Sequence, residues 1–313
     1  MILTVTLNVA VDKSYVLETP LHVGEVMRVK ACRNTAGGKG LNVSKVIRLC
    51  GEECLATGFT GGFNGAYVEK MLEEKGVKSR FVHVEGETRS CINILASDKT
   101  STEFLEPGVF VDEKKVNEFL LQFRQLLNQC DVVAMSGSAP RGVGLDIYAK
   151  MIRMGREKGV KMLLDTSGGY LTEGCKALPY LIKPNEEEMG QLLGYRVKGE
   201  EEMVEGARKL CRQGISHVIL SLGEKGALAV CEQGIFRAVP PKIDAVNTVG
   251  CGDSMVGAMA VAIQRGMDVE EMLRYACAVS AANALNLETG YFKKEDMENI
   301  YPKVLVEPVS TPS

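Results

Sequence analysis

The chain has 313 residues, 45% hydrophobic and 25% charged, enough to bury a full core without staples and sized for one large α/β domain with an appendage or two modest domains. A net charge of −3, with lysines and arginines interleaved among acids, argues against nucleic acid as the main partner. Ten cysteines without a C-x-x-C pair or metal-ligand spacing, most of them in apolar runs, exclude a disulfide framework and predict reduced thiols in a cytoplasmic protein.

The opening MILTVTLNVAVDKSY has no basic n-region and no small-residue cleavage site, and its alternation with Thr and Asn predicts a strand over 2–9 rather than a secretion signal. Residues 26–32 place Met27, Val29 and Ala31 on one side and Arg28 and Lys30 on the other, and 91–96 is likewise short and β-rich, with no helix directly after it. The two segments predict a small separate sheet made by excursions 11–36 and 87–106 out of a core comprising 1–10, 37–86 and 107–313. Such a β lid is suited to shutting water out of a reaction site.

Strands over 55–59, 131–135, 160–164, 180–182 and 217–222 alternate with amphipathic segments, the βα rhythm of a mostly parallel sheet covered by helices. The clearest helix, 113–130, carries Val116, Phe119, Leu120, Phe123, Leu126 and Leu127 at steps of three and four, one apolar stripe for packing. The longest strongly apolar stretch, 255–263, is far too short to span a bilayer. The tail after about Glu307, with two prolines and two serines, predicts poor order.

Chemistry gathers at helix starts. In Asn247-Thr248-Val249-Gly250-Cys251-Gly252-Asp253-Ser254, which opens a helix reaching Arg265, two glycines let the chain turn sharply. Successive N–H groups then aim at one point, where an anion such as a triphosphate's γ-phosphate is stabilised. A carboxylate beside an incoming phosphate is electrostatically costly unless it takes a proton from an attacking hydroxyl, and that is one reading of Asp253; the other is an ordinary first-turn acid. Ala36-Gly37-Gly38-Lys39-Gly40-Leu41-Asn42 precedes a helix over 43–49 and is neither a Walker loop nor G-x-G-x-x-G; it serves a small polar ligand or only the turn.

In Lys183-Pro184-Asn185-Glu186-Glu187-Glu188, Asn185 caps a helix and Glu188 completes a capping-box arrangement. The functional alternative has both orienting water around Mg²⁺ on nucleotide phosphates. Ser221-Leu222-Gly223-Glu224-Lys225-Gly226 reads as a ligand loop or a plain hairpin. His22, His83 and His217 stand beside no G-x-S-x-G elbow, which disfavours hydrolase chemistry.

These motifs in this order, together with Thr88-Arg89 and Ser136-Gly137-Ser138, resemble the phosphofructokinase-B family of the ribokinase-like superfamily from residue 2 to about 290, nearest its 1-phosphofructokinase and tagatose-6-phosphate kinase branch. The resemblance implies a three-layer α/β sandwich with a mostly parallel central sheet and a small β lid. It implies ATP-dependent phosphorylation of a ketohexose phosphate, tagatose 6-phosphate or fructose 1-phosphate, to the bisphosphate. Residue by residue it implies Asp253 as general base and the backbone of Gly250, Cys251 and Gly252 as the anion hole. Lys183, Asn185 and Glu188 would serve the Mg²⁺-nucleotide, with Glu188 reaching the metal through water. Ser221, Gly223 and Asn283 would lie along the nucleotide, and Asp12, Gly38 and Asn42 would hold sugar hydroxyls.

The sugar's own phosphate needs cations, which Arg28, Lys39 and Arg89 supply from the lid and the Gly-rich loop, with Ser138 as a hydroxyl donor. The alternative for Arg28 is a solvated edge-strand charge. Two positions depart from the family pattern: Asn8-Val9-Ala10 stands where Asn-Pro-Ala is usual, and Cys251 where Ala or Ser is common. Backbone N–H groups do the binding, so Cys251 is tolerated, and it is expected to make the site sensitive to thiol reagents. Family likeness also implies a monovalent cation near the turn before Gly250. An apolar outer lid face predicts a homodimer, with neither membrane nor nucleic acid as partner. The competing readings are a kinase of an unphosphorylated sugar or nucleoside and a non-catalytic sugar-phosphate sensor.

Overall fold

The computed structural model describes residues 1–309. Its first strand, β1 (Ile2–Thr6), is buried throughout, with Leu3 and Val5 in one apolar cluster and Ile2 in another. Burial on both faces marks a strand inside a sheet that is covered on both sides. After it come β2 (Ala10–Val16) and β3 (Ala31–Gly37), then α1 (Lys39–Leu49), β4 (Cys54–Thr60), α2 (Gly62–Glu74) and the short β5 (Lys78–Ser79) and β6 (Val82–His83). The chain continues through β7 (Arg89–Leu95), β8 (Ser101–Leu105), α3 (Glu113–Leu126), β9 (Val132–Ser136), α4 (Ile147–Glu157), β10 (Lys161–Asp165), α5 (Gly168–Cys175), β11 (Leu181–Ile182), α6 (Glu186–Leu193) and α7 (Glu200–Gln213). Last are β12 (His217–Ser221), β13 (Ala227–Cys231), β14 (Gly234–Val239), α8 (Cys251–Gln264), α9 (Val269–Ala284), α10 (Lys294–Ile300) and β15 (Leu305–Pro308).

The main sheet has 11 strands in the order β15-β14-β13-β12-β11-β10-β9-β1-β4-β5, with β6 also paired to β4. It is parallel from β4 to β12 and antiparallel through β13, β14 and β15. One cluster packs it against α1, α2, α8, α9 and α10, the other against α3 to α7, which makes the three layers the sequence predicts. The stripe of α3 is realised: Phe119, Phe123 and Leu126 are buried, Asp112 caps the start by accepting from the Lys115 N–H, and the helix tightens to a 3₁₀ turn over Leu127–Gln129. Among the described residues no helix is long and apolar enough to cross a membrane. All ten cysteines are unpaired, five of them buried.

A separate sheet of four strands runs β3-β2-β7-β8. Here the structure corrects the sequence reading, because the lid strand expected over 26–32 is instead Ala31–Gly37, and β2 (Ala10–Val16) joins the same sheet. Pairing starts from the core end, Ala10 opposite Gly37, and the ladder finishes at Val16 opposite Ala31. Residues up to 30 therefore form the crossing at the sheet's tip, where Val23 and Val26 are 98% and 95% exposed. The tail also differs: β15 pairs with β14, and the Val309 N–H donates to the Ile235 carbonyl at 2.8 Å. The rest of the tail predicted to be poorly ordered, 310–313, lies outside the described residues.

Candidate active site

Parallel strands end on the same edge of a sheet, and the polar residues converge at the carboxyl ends of β1, β9, β10, β11 and β12. Gly250 turns the chain into α8 with φ of 80°, and no side chain caps the helix. The Cys251 N–H closes the turn onto the Thr248 carbonyl at 3.3 Å, so the next amides, those of Gly252 and Asp253, are left as free donors at a positive helix end. An added Cβ on Gly250 would meet Thr289 Cγ2 at 2.4 Å, whereas one on Gly252 would lie 3.4 Å from Lys183 Nζ.

Asp253 sits in this first turn, 7% exposed, with Oδ2 accepting from Asn42 Nδ2 at 2.8 Å. Burial first, then the charge of Asp165, pushes its pKa up to about 6, against the Asn42 hydrogen bond and the pull of Lys39 and Lys183. Lys183 forms a buried ion pair with Asp165 at 3.2 Å. Burial works to discharge Lys183, but Asp165 and then Glu188 outweigh it, and its pKa is held above the ordinary value. Asn185 and Glu188 form the capping box: Asn185 Oδ1 accepts from the Glu188 N–H at 2.8 Å and Glu188 Oε2 from the Asn185 N–H at 3.0 Å. The Ser221 N–H donates to the Pro184 carbonyl at 3.1 Å, which sets the β12 turn beside this helix start. That turn is a hairpin into β13, with Gly223 exposed at φ of 61°.

The other side of the site is built on β2 and the Gly-rich loop. Asp12 lies against Gly37, where an added Cβ would meet its carboxylate at 2.1 Å, and it accepts from the Gly38 backbone. Burial raises the pKa of Asp12, opposed by Lys45 and Arg89. Arg89 donates from Nη1 to the Glu106 carbonyl at 3.0 Å and from Nη2 to the Asn8 carbonyl at 3.1 Å, leaving Nε buried without a partner. Asn8 Nδ2 in turn donates to Ser138 Oγ at 3.4 Å. Lys39 is exposed beside Gly137. Asp12, Arg89, Asn8 and Ser138 are thus linked within one group, while Arg28 lies exposed in the 17–30 crossing with no polar contact among the described residues.

Three expectations change, the first being the set of free amides at the turn, which lacks the Cys251 N–H, spent on the Thr248 carbonyl, and includes that of Asp253. Asn283 is fully buried, not along an open groove: its Oδ1 accepts from Ser254 Oγ and from the Gly290 and Tyr291 N–H groups, so it pins the floor of the turn. The Cys251 thiol is pushed up in pKa by burial, which favours the unreactive thiol over the thiolate and removes the reason to expect ready alkylation. Two residues escaped sequence reading. Asp165 merely ends an apolar strand, and Lys45 looked like an ordinary helix charge, although its spacing of three from Asn42 put both on one side of α1.

A cavity of about 1120 Å³ lies elsewhere, along α2 between Thr60, Glu69, Lys70 and His83. The adjacent helix start is already occupied by Glu87, whose carboxylate accepts from the Phe63 and Asn64 N–H groups, so no anion site remains there.

A family model described as pfkB family carbohydrate kinase matches residues 5–296. A tagatose-6-phosphate kinase of Staphylococcus epidermidis is 38% identical over 98% of this chain and 99% of its own length. Phosphofructokinase-2 from Escherichia coli, solved in complex with potassium, superposes with a TM-score of 0.91 at 27% identity, covering 96% of this chain and 98% of that one; the same protein has been solved in a tetrameric inhibited form. A possible 1-phosphofructokinase from Thermotoga maritima gives a TM-score of 0.90 at 30% identity over 99% of this chain and all of that one.

Proposed function

We propose that this chain, which belongs to the pfkB family of carbohydrate kinases, transfers the γ-phosphoryl group of ATP to a hydroxyl of a ketohexose phosphate, tagatose 6-phosphate or fructose 1-phosphate, to give the bisphosphate. The observation that carries this reading is the meeting, at the start of α8, of uncapped amides with the Asp253 carboxylate, held by Asn42 from the first turn of α1, which also bears Lys39.

Asp253 takes the proton of the acceptor hydroxyl, and its raised pKa near 6 makes it a competent base at neutral pH. The hydrogen bond from Asn42 fixes the carboxylate's direction. Asp12 and the Gly38 backbone hold sugar hydroxyls, and Lys39, Arg89 and Ser138 hold the phosphate that the sugar already carries. The amides of Gly252 and Asp253, with Lys183, stabilise charge developing on the transferred group. Ser221 and Gly223 lie along the nucleotide.

No group of three or more His, Cys, Asp or Glu side chains suited to a metal occurs among the described residues. Glu188, buried at the start of α6 with Oε2 accepting from the Asn185 N–H, would reach Mg²⁺ through a metal-bound water, which suits an ion carried on nucleotide phosphates; when bound, the ion neutralises phosphate charge. Family likeness alone places a monovalent cation near the turn before Gly250. Likeness to a relative solved in complex with potassium supports a monovalent cation. The protein is read as cytoplasmic and as a homodimer through its lid.

Turnover with fructose 1-phosphate, tagatose 6-phosphate, fructose 6-phosphate, fructose, ribose and adenosine, measured side by side with ATP, tests the assignment. The expected result is a higher kcat/KM for one of the first two than for every neutral acceptor. Preference for fructose, ribose or adenosine defeats the sugar-phosphate reading, and binding without turnover would mark a sensor.

A further inference from the structure

Lys45 lies one turn beyond Asn42 on α1 and is 5% exposed. Its Nζ donates to the Thr289 carbonyl at 3.0 Å and the Ala36 carbonyl at 3.3 Å, and no carboxylate stands within ion-pair distance among the described residues. A buried ammonium held only by carbonyls is expensive, so its place needs a reason. The two carbonyls belong to the two halves of the site. Ala36 is near the end of β3, where the chain enters the Gly-rich loop. Thr289 belongs to the connection between α9 and α10, which lies directly under Gly250, close enough that a Cβ there would strike Thr289. The next residue, Gly290, touches Asn42, where its own Cβ would fall 3.0 Å from Asn42 Cα, and its N–H is tied to Asn283 at 3.0 Å.

We propose that Lys45 is a positioning residue for phosphoryl transfer: its ammonium rivets the lid strand that leads into the Gly-rich loop to the segment flooring the Gly250 turn, so that sugar side and phosphate side keep one geometry. The role in transfer rests on the kinase reading above, whereas the rivet itself does not. Charge supports it. Burial lowers the pKa of Lys45, while Asp12 on β2, Glu288 in the α9–α10 connection and Asp253 on α8 oppose that, and Lys75 just past the end of α2 adds to it. Lys45 is also the foremost charge opposing the rise that burial imposes on Asp12.

Lys45→Met removes both donors and the charge at similar volume. It should lower kcat about 10²-fold, the scale of a small misplacement of reacting groups. It should also raise KM for the sugar phosphate more than for ATP and shift the acid limb of kcat/KM to higher pH, since two carboxylates lose a counter-charge. Amide hydrogen exchange at Gly290 and Tyr291 should quicken, because the Thr289 carbonyl beside them loses its anchor. Lys45→Arg should keep the acid limb in its wild-type position and recover part of the turnover. Wild-type turnover in Lys45→Met, or a lowered melting midpoint with the acid limb unmoved, overturns the proposal. If Lys45→Met does not fold, Lys45→Gln reads the same acid limb and exchange rates. Exchange needs no substrate: a wild-type chain inert toward every hexose phosphate, with quickened exchange in Lys45→Met, sinks the kinase reading and keeps the rivet, and unchanged exchange with an active wild type sinks the rivet alone.

Discussion

Asp253 combines two costs that a purely structural acid avoids: it is buried, and it faces another carboxylate, Asp165, across the site. Asp253→Asn should lower kcat by about 10²–10⁴-fold, the usual span for losing a general base, while leaving the Kd of a non-hydrolysable ATP analogue nearly unchanged. Near-normal turnover in that variant removes Asp253 from its role. The pKa near 6 gives a second expectation: the base must be ionised, so kcat/KM should fall as pH drops through about 6, and a flat profile from pH 8 to 5 contradicts it. The sign for stability runs the other way. With a folded pKa of about 6, above the ordinary aspartate value of 3.8, the folded state binds the proton more tightly, so stability present at low pH is lost as pH rises through about 6. Asp253→Asn should therefore be more stable than wild type at pH 7, by on the order of 1–3 kcal/mol, with the gap narrowing toward pH 4.5 in thermal melts.

At the scale of an element, the start of α8 depends on two glycines for different reasons. Gly250 has φ of 80° and Thr289 at 2.4 Å from a would-be Cβ, so Gly250→Ala combines backbone strain with overpacking and should lose about 2–4 kcal/mol in urea unfolding. Gly252 has ordinary backbone and its nearest neighbour, the Lys183 ammonium, at 3.4 Å. Gly252→Ala should hold its urea midpoint yet lose turnover, because the methyl group stands where an anion approaches the amides; equal stability losses in the two variants would discredit this division. The capping box of α6 was readable from Asn185 and Glu188 alone, since both partners lie within one turn. The lid strand expected over 26–32 begins five residues later because its limits are set by pairing with β2, not by its own alternation.

Across the whole molecule, the small sheet leaves apolar side chains facing outward on β8, an edge strand, where Phe104 and Leu105 are 56% and 64% exposed. Edges of that kind invite a second chain. Sedimentation at micromolar concentration should give a dimer, and Leu105→Lys should give a monomer with a higher KM for the sugar phosphate; a wild-type monomer throughout would refute assembly through the lid.

Sequence alone determined what short-range physics controls: strands buried on both faces from apolar runs, helices from period and caps, and a glycine turn that points amides outward before α8. What only the tertiary structure decided is the set of groups brought together over long distances, namely Asn42 on Asp253, Lys183 on Asp165, Lys45 on Thr289 and Asn283 under Gly290. A lysine in a helix or an acid at a strand end has the same local signature whether it meets solvent or a buried partner. The carboxyl ends of parallel strands, and the connection folded beneath them, make that choice.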